Sequence, residues 1–251
     1  MSDFTLEVRN LSKNFGALAV TNDVSLQVRP GERRALIGPN GAGKTTLINL
    51  IAGVLTPSTG QISLQGRDIT GLSQSAKVRA GIGRTYQINN LFGTLSIAEN
   101  VCQALRARDG GGHVVFGGGA SESARRDEAM SLLRQLGIAG EANIPAAEAA
   151  YGKQRLVELA IALALKPKLL LLDEPAAGVP SSETHVILKA IESLPSDIAV
   201  IMIDHDIDLV FRFAHRVTVL EQGRVLTEGT PREIASDEQV RRIYLGEAVD
   251  A

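Results

Sequence analysis

Phe4, Leu6 and Val8 alternate with polar neighbours, and so do Val24, Leu26 and Val28, which predicts two half-buried strands. Pro30-Gly31 then turns the chain into residues 33–37, a short strand leading into a glycine-rich loop. A helix follows over residues 44–52, with Gly53 placed to cap its end. Pro57-Ser58-Thr59-Gly60 marks a turn, residues 61–65 alternate again as a strand, and residues 82–86 read as a strand running inward.

The middle of the chain changes period. Ser96 and Glu99 form a capping box that opens a helix. Residues 121–136 are helical, with Met130, Leu133 and Leu136 on one stripe, and a third helix covers 153–165. Between the first two lie Gly110-Gly111-Gly112 and Gly117-Gly118-Gly119, which read as a flexible connector. The last third returns to strands and helices. Residues 169–172 form a buried strand ending in Asp173-Glu174, 182–193 a helix and 198–203 a second buried strand. Residues 217–220 and 224–227 flank Gln222-Gly223 as a hairpin, and Thr230-Pro231-Arg232-Glu233 is a capping box with proline at the first helical position. The pattern predicts a single α/β domain over residues 1–251. Its core is 1–87 and 164–251, with an antiparallel β-region at its start and a helical subdomain inserted at 88–163.

Hydrophobic residues make up 44% of the 251 positions while aromatics are 4% and Trp is absent, so the core is aliphatic, as suits a sheet lined by Leu, Ile and Val. A net charge of -2 carries no footprint for nucleic acid. The single Cys102 forms no disulfide within the chain. The start of the chain lacks a basic, apolar leader, and no apolar run approaches the ~18 residues of a membrane helix. Any membrane role must therefore come through a partner.

Gly38-Pro39-Asn40-Gly41-Ala42-Gly43-Lys44-Thr45-Thr46 fits the P-loop pattern, with a strand before it and a helix after it. Its glycines let successive N–H groups curl around phosphate oxygens, and the helix start adds positive potential. Lys44 supplies a charge for the β- and γ-phosphates, and the Thr45 hydroxyl is a Mg2+ ligand. The expected ligand is ATP with Mg2+. An acidic pair after a strand is, on its own, more often a helix cap. Beside a P-loop, Asp173 becomes a Mg2+ holder and Glu174 a group that orients or deprotonates an attacking water.

With these motifs in place, nearly the whole chain resembles the nucleotide-binding subunits of ABC transporters, a P-loop NTPase (RecA-like) core with an inserted helical subdomain. The resemblance implies that Gln87, after Gly83-Arg84-Thr85-Tyr86, is the Q-loop glutamine, a Mg2+ contact and part of the catalytic set. It makes Glu174 the catalytic glutamate, His205 the switch histidine and Phe15 the adenine-stacking aromatic. Ala149-Ala150-Tyr151-Gly152-Lys153-Gln154-Arg155 matches the signature that touches ATP held by a second subunit. Within the family the chain looks most like ATPases of branched-chain amino acid uptake, through Gly83 to Gln87, Leu91-Phe92, Tyr151-Gly152, Glu174-Pro175-Ala176-Ala177-Gly178 and a chain end near Tyr244-Leu245-Gly246-Glu247.

That likeness implies a bacterial or archaeal importer with two permease chains, a second ATPase chain and an external solute-binding protein, with no nucleic acid. This chain would lie on the cytoplasmic face of the membrane. Residues 87–95 would receive a permease helix, with Leu91-Phe92 either exposed anchors or core. Two positions depart from the family pattern. Ala150 stands where the signature has serine, and Pro180 where the loop after the glutamate has Asp or Asn. Both affect what the chain offers a partner's ATP and spare its own site, which favours an asymmetric heterodimer over a homodimer and leaves as the alternative a regulatory subunit that binds ATP with little hydrolysis.

Overall fold

The computed structural model of the protein describes residues 3–85, 91–110 and 119–245. In chain order these form β1 (Leu6–Phe15), β2 (Leu18–Val28), β3 (Arg33–Ile37), α1 (Lys44–Ala52), β4 (Thr59–Leu64), β5 (Arg67–Asp68), α2 (Gln74–Ala80) and β6 (Ile82–Arg84). Then come α3 (Ile97–Arg108), α4 (Gly119–Gln135), α5 (Tyr151–Ala164), β7 (Leu169–Asp173), α6 (Ser181–Glu192) and β8 (Ala199–Ile203). The chain closes with α7 (Ile207–Phe213), β9 (Arg216–Glu221), β10 (Arg224–Gly229), α8 (Pro231–Ser236) and α9 (Glu238–Leu245). Two compact units result: Met1–Ile82, Lys168–Glu174 and Ser196–Ala251 in one, Gly83–Pro167 and Pro175–Pro195 in the other.

The first unit holds two sheets. One is antiparallel, in the order β2-β1-β4-β5. Its alternating pattern turns one face inward: Leu6 lies opposite Val28 and Leu64, and Val8 opposite Leu26 and Ile62, all of them buried. The other sheet has the order β10-β9-β3-β8-β7-β6. Here β3 pairs in parallel with β8 and β9, and β7 in parallel with β8. Leu169 to Leu172 and Ala199 to Ile203 are buried without alternation, which is why these strands read as continuous apolar runs. Helix α1 contributes Leu47, Ile48, Leu50 and Ile51 to a core shared with Leu6 and Val8 of one sheet and Leu36, Leu171 and Ile201 of the other. Gly53, with φ +81, ends α1 by turning its N–H back to the Leu50 carbonyl.

The second unit is helical. The Ser96–Glu99 capping box opens α3. Arg108 binds Glu128 through both terminal nitrogens, at 2.7 and 2.9 Å, and donates to the Ala164 carbonyl at 3.0 Å, so one guanidinium ties α3 to α4 and α5. Leu133 on α4 and Leu136, just past its end, are buried as the stripe predicts, but Ala129 rather than Met130 completes the buried face.

Several boundaries differ from the sequence reading. Helix α4 begins at Gly119 instead of 121, and α5 at Tyr151 instead of 153. Helix α6, with the segment 175–195, clusters with the helices although its sequence lies beyond residue 163, because it packs on α5. Helices α2 and α7, of seven residues each, are too short to display a period and were not predicted.

Candidate active site

Four parallel strands deliver the chemistry of the first unit to one edge. In the sheet register, Leu36 and Asp173 both lie opposite Ile203, and Ile37 lies opposite Val219. The residues immediately beyond these strand ends are Gly38, Glu174, Asp204-His205 and Gln222-Gly223. The C-terminal edge of a parallel sheet is where ligands bind in open α/β folds.

The loop from Gly38 to Gly43 is shaped by backbone that only glycine tolerates. Gly38 has φ +151, and a Cβ there would lie 2.1 Å from the Leu220 carbonyl oxygen. Gly43, the N-cap of α1, is left-handed at φ +95 and backs onto the Val20 carbonyl. Gly41, also left-handed, has open space where a side chain would stand, which is the room a phosphate group requires. The loop is pinned behind by Gly223 N–H donating to Ala42 O at 3.0 Å and Asn22 N–H donating to Gly223 O at 2.8 Å. The role of Gly223 as a wall of this loop was not legible from the sequence, where Gln222-Gly223 signals only a hairpin.

The N-cap Gly43 offers no side-chain hydrogen bond to the start of α1, whose first N–H groups have no partner within the helix. Pro39, Asn40, Gly41 and Thr45 are exposed, while Thr46 is half-buried and Ala42 buried. Lys44 folds back, with Nζ donating to Gly38 O at 2.8 Å and Pro39 O at 3.0 Å. Burial lowers its pKa, and the charges of Glu174 and Asp173 oppose that shift. Both carboxylates are thus within electrostatic reach of the loop lysine.

Asp173 ends β7 and is 3% exposed. Glu174 leaves the strand in a left-handed conformation, φ +46, and its N–H donates to Ile203 O at 2.9 Å. A non-glycine residue held there stores about 1–3 kcal/mol, a strain that recurs at functional sites. His205 lies nearby, with Nδ1 3.7 Å from Glu174 Oε1, beyond hydrogen-bonding distance, and a side chain that is 78% exposed. Its backbone is fixed by Asp204, whose Oδ1 accepts from the N–H groups of His205 at 2.8 Å and Asp206 at 3.0 Å. Burial pushes the Asp204 carboxyl above its ordinary range, and those two N–H groups pull it back. This bracket behind His205 escaped the sequence reading, although the Asp-His-Asp run at a strand end is its signal.

Phe15 sits at the end of β1, opposite Leu18, with its ring exposed and Lys13 Nζ 5.2 Å from its centroid. Gln87 falls outside the described residues. Phe92 is 61% exposed and Leu91 half-buried, while the buried Asn100 binds both the N–H and the carbonyl of Phe92, so the backbone beneath that ring is fixed.

In the second unit, Ala150 caps α5 without a side-chain hydrogen bond. Lys153 and Gln154 donate their N–H groups to Ala150 O, Gln154 Nε2 donates to Ala149 O at 2.9 Å, and the Lys153 ammonium pairs with Glu141. A Cβ on Gly152 would meet Glu183 of α6 at 2.8 Å. The start of a 14-residue helix is therefore left without a hydroxyl cap. Among the described residues no helix is long and apolar enough to cross a membrane.

Comparison with known proteins agrees along the whole chain. The family described as ABC transporter matches residues 21–177, and a second, the branched-chain amino acid ATP-binding cassette transporter family, matches residues 224–250. The high-affinity branched-chain amino acid transport ATP-binding protein LivG of Salmonella typhimurium is 38% identical over 99% of this chain and 100% of its own length. The lipopolysaccharide export ATP-binding protein LptB of Escherichia coli is 37% identical over 97% and 98%. Among solved structures, the ADP conformation of an ABC transporter cassette overlays with a TM-score of 0.82 at 26% identity, covering 98% of this chain and 100% of that one. A dimeric cassette bound to ADP and Pi gives 0.76 at 25% identity, covering 90% and 99%. A phosphate loop, an acidic strand end and a histidine gathered at one sheet edge, in a chain with such relatives throughout its length, make this protein a member of the ABC transporter ATP-binding family.

Proposed function

We propose that the chain is the ATP-hydrolysing subunit that energises an importer of branched-chain amino acids. The observation that carries this reading is the convergence of Lys44, Asp173, Glu174 and His205 at the C-terminal edge of one parallel sheet. The match of residues 224–250 to the branched-chain amino acid cassette family supports that substrate class over lipopolysaccharide export.

The residues divide the work by their chemistry. Gly38, Gly41 and Gly43 hold a loop whose N–H groups wrap phosphate, and Lys44 exchanges the carbonyls of Gly38 and Pro39 for phosphate oxygens when ATP binds. Thr45 and Asp173 are the oxygen donors that would hold Mg2+. When bound, Mg2+ neutralises charge on the β- and γ-phosphates. Glu174 takes the proton of the attacking water, and His205, exposed and with its backbone held by Asp204, turns toward the γ-phosphate. Gln87 belongs to this set by the family resemblance, and Phe15 stacks on adenine from its exposed place on β1.

The signature run Ala150-Tyr151-Gly152-Lys153-Gln154 presents the start of α5 to ATP held by a second ATPase subunit in a head-to-tail dimer. That dimer is a heterodimer, because Ala150 removes a hydroxyl and Pro180 a polar side chain from the surface this chain offers its partner. Two permease subunits hold the pair at the cytoplasmic face of the membrane, Phe92 is an anchor for them, and an external binding protein supplies the solute.

Steady-state ATP hydrolysis by the chain alone and with its second ATPase subunit, beside Glu174→Gln, tests the reading, together with ATP-dependent leucine uptake into vesicles carrying the whole assembly. Turnover that requires the partner and vanishes with Glu174→Gln supports it. Full cooperative activity of the chain as a homodimer would overturn the heterodimer.

A further inference from the structure

The tip of the β1–β2 hairpin carries two exposed apolar side chains, Phe15 and Leu18, paired across the strands. Phe15 is 48% exposed, so its ring does not serve the core. The hairpin abuts the phosphate loop. Between the pairs Lys13–Thr21 and Asn14–Ala19 the register slips by one residue, at Val20. The Val20 carbonyl oxygen would lie 2.6 Å from a Cβ on Gly43 and 2.4 Å from one on Gly223. The strand that faces the ring therefore touches the residue before Lys44 and the glycine that pins the loop from behind.

One face of the ring is already taken. Lys13, two residues earlier on the same strand, places Nζ over it, 5.2 Å from the centroid. The ammonium is itself anchored, donating to Thr56 O at 2.8 Å. That carbonyl belongs to the loop between α1 and β4, which is tied to the same strand by Ser58 N–H donating to Ser12 O at 2.8 Å and by Asn14 N–H donating to Ser58 Oγ at 3.1 Å. These hydrogen bonds lock the end of β1 and hold the cation in place. A cation over one face draws π density toward itself, which leaves the opposite face less negative and better suited to an electron-rich purine.

We propose that Lys13 is a positioning residue of the nucleotide site: held by Thr56, its ammonium fixes one face of the Phe15 ring and leaves the other as a preset platform for the purine base. The inference rests on the reading of Phe15 as the ring that stacks on adenine. An exposed ring at a hairpin tip otherwise turns between rotamers, and the entropy lost in fixing it on binding subtracts from affinity. Lys13 fixes it beforehand. The phosphates are held by the loop and by Lys44, so the contribution of Lys13 shows only in ligands that carry a base.

Calorimetric titration of the full chain with ADP and with pyrophosphate, each with Mg2+, tests this, because pyrophosphate offers the phosphates without the nucleoside. Lys13→Met is expected to weaken ADP binding about fivefold and to leave pyrophosphate binding unchanged. Lys13→Arg, whose guanidinium also lies on aromatic faces, is expected to stay within about twofold of the unmodified chain for both. Phe15→Ala is weakened for ADP and unchanged for pyrophosphate, and adding Lys13→Met to it costs nothing more. Lys13→Gln, which keeps a donor for Thr56 O without the charge, takes the place of Lys13→Met if that variant does not fold. Unchanged ADP affinity in Lys13→Met, equal losses for ADP and pyrophosphate, or a loss that persists in the Phe15→Ala background overturns the role of Lys13 alone. Phe15→Ala that binds ADP as well as the unmodified chain overturns the adenine reading of Phe15 and the role of Lys13 with it.

Discussion

Lys77 Nζ donates to the Leu50 carbonyl at 2.9 Å, so a lysine with 0% exposure closes the far end of the helix that begins at Lys44. The cation meets the negative end of α1, and the missing Cβ of Gly53 makes way for its Cδ. Burial lowers the Lys77 pKa to about 8, against the opposing pull of Asp68.

Stability measurements expose that burial. A lysine whose pKa is depressed in the folded state makes the protein bind fewer protons than the unfolded chain between about 8 and 10.5, so its contribution to stability rises with pH across that window and is flat below it. Lys77→Met keeps the volume without a charge. Urea midpoints of the two proteins from pH 7 to pH 10 are expected to shift toward the unmodified protein as pH rises. Lys77→Ala, which leaves a cavity and a carbonyl without its donor, is expected to cost about 2–4 kcal/mol.

Gly38→Ala drives a methyl group into the Leu220 carbonyl. The loop must lift away from β9, and nucleotide binding measured by fluorescent-ATP titration is expected to be lost while the helical unit keeps its far-ultraviolet dichroism.

Lys44→Ala removes one charge-assisted contact to phosphate and frees the carbonyls of Gly38 and Pro39. Affinity for ATP is expected to fall roughly 10- to 100-fold, the worth of about 1.5–3 kcal/mol. Calorimetric titration with ATP checks this, and unchanged affinity would remove Lys44 from the site.

Glu174 and His205 are expected to separate in kinetics. Glu174→Gln abolishes turnover but retains ATP binding, because the P-loop contacts remain. His205→Ala lowers kcat without abolishing ATP binding, and Asp204→Ala, which releases the backbone N–H groups of His205 and Asp206, produces the same direction of change through misplacement of the imidazole.

What could be read from the chain follows from how its information is stored. The phosphate loop is contiguous, so residues 38–46 announce both their conformation and their ligand. The buried strands announce themselves because Leu169 to Leu172 and Ala199 to Ile203 are apolar without interruption. The two capping boxes, at Ser96 and Thr230, form as their spacing predicts, since each needs only four consecutive residues. Contacts between distant residues were not legible. Nothing local to Lys77 tells that it lies under Leu50, and nothing local to Gly43 tells that the Val20 carbonyl backs it. Helix α6 could not be assigned to its unit for the same reason: its place depends on packing against α5 rather than on its own pattern.

The shared register of β3, β7 and β8 has a consequence for protein engineering. Because Leu36 and Asp173 are both aligned on Ile203, a one-residue insertion in any of these strands would displace a residue of the proposed site by a full step and reverse which side chains face the core. The exposed Gln65-Gly66 turn between β4 and β5 carries no such alignment, so it is the place to splice in an epitope or a fluorescent reporter and watch the subunit at work.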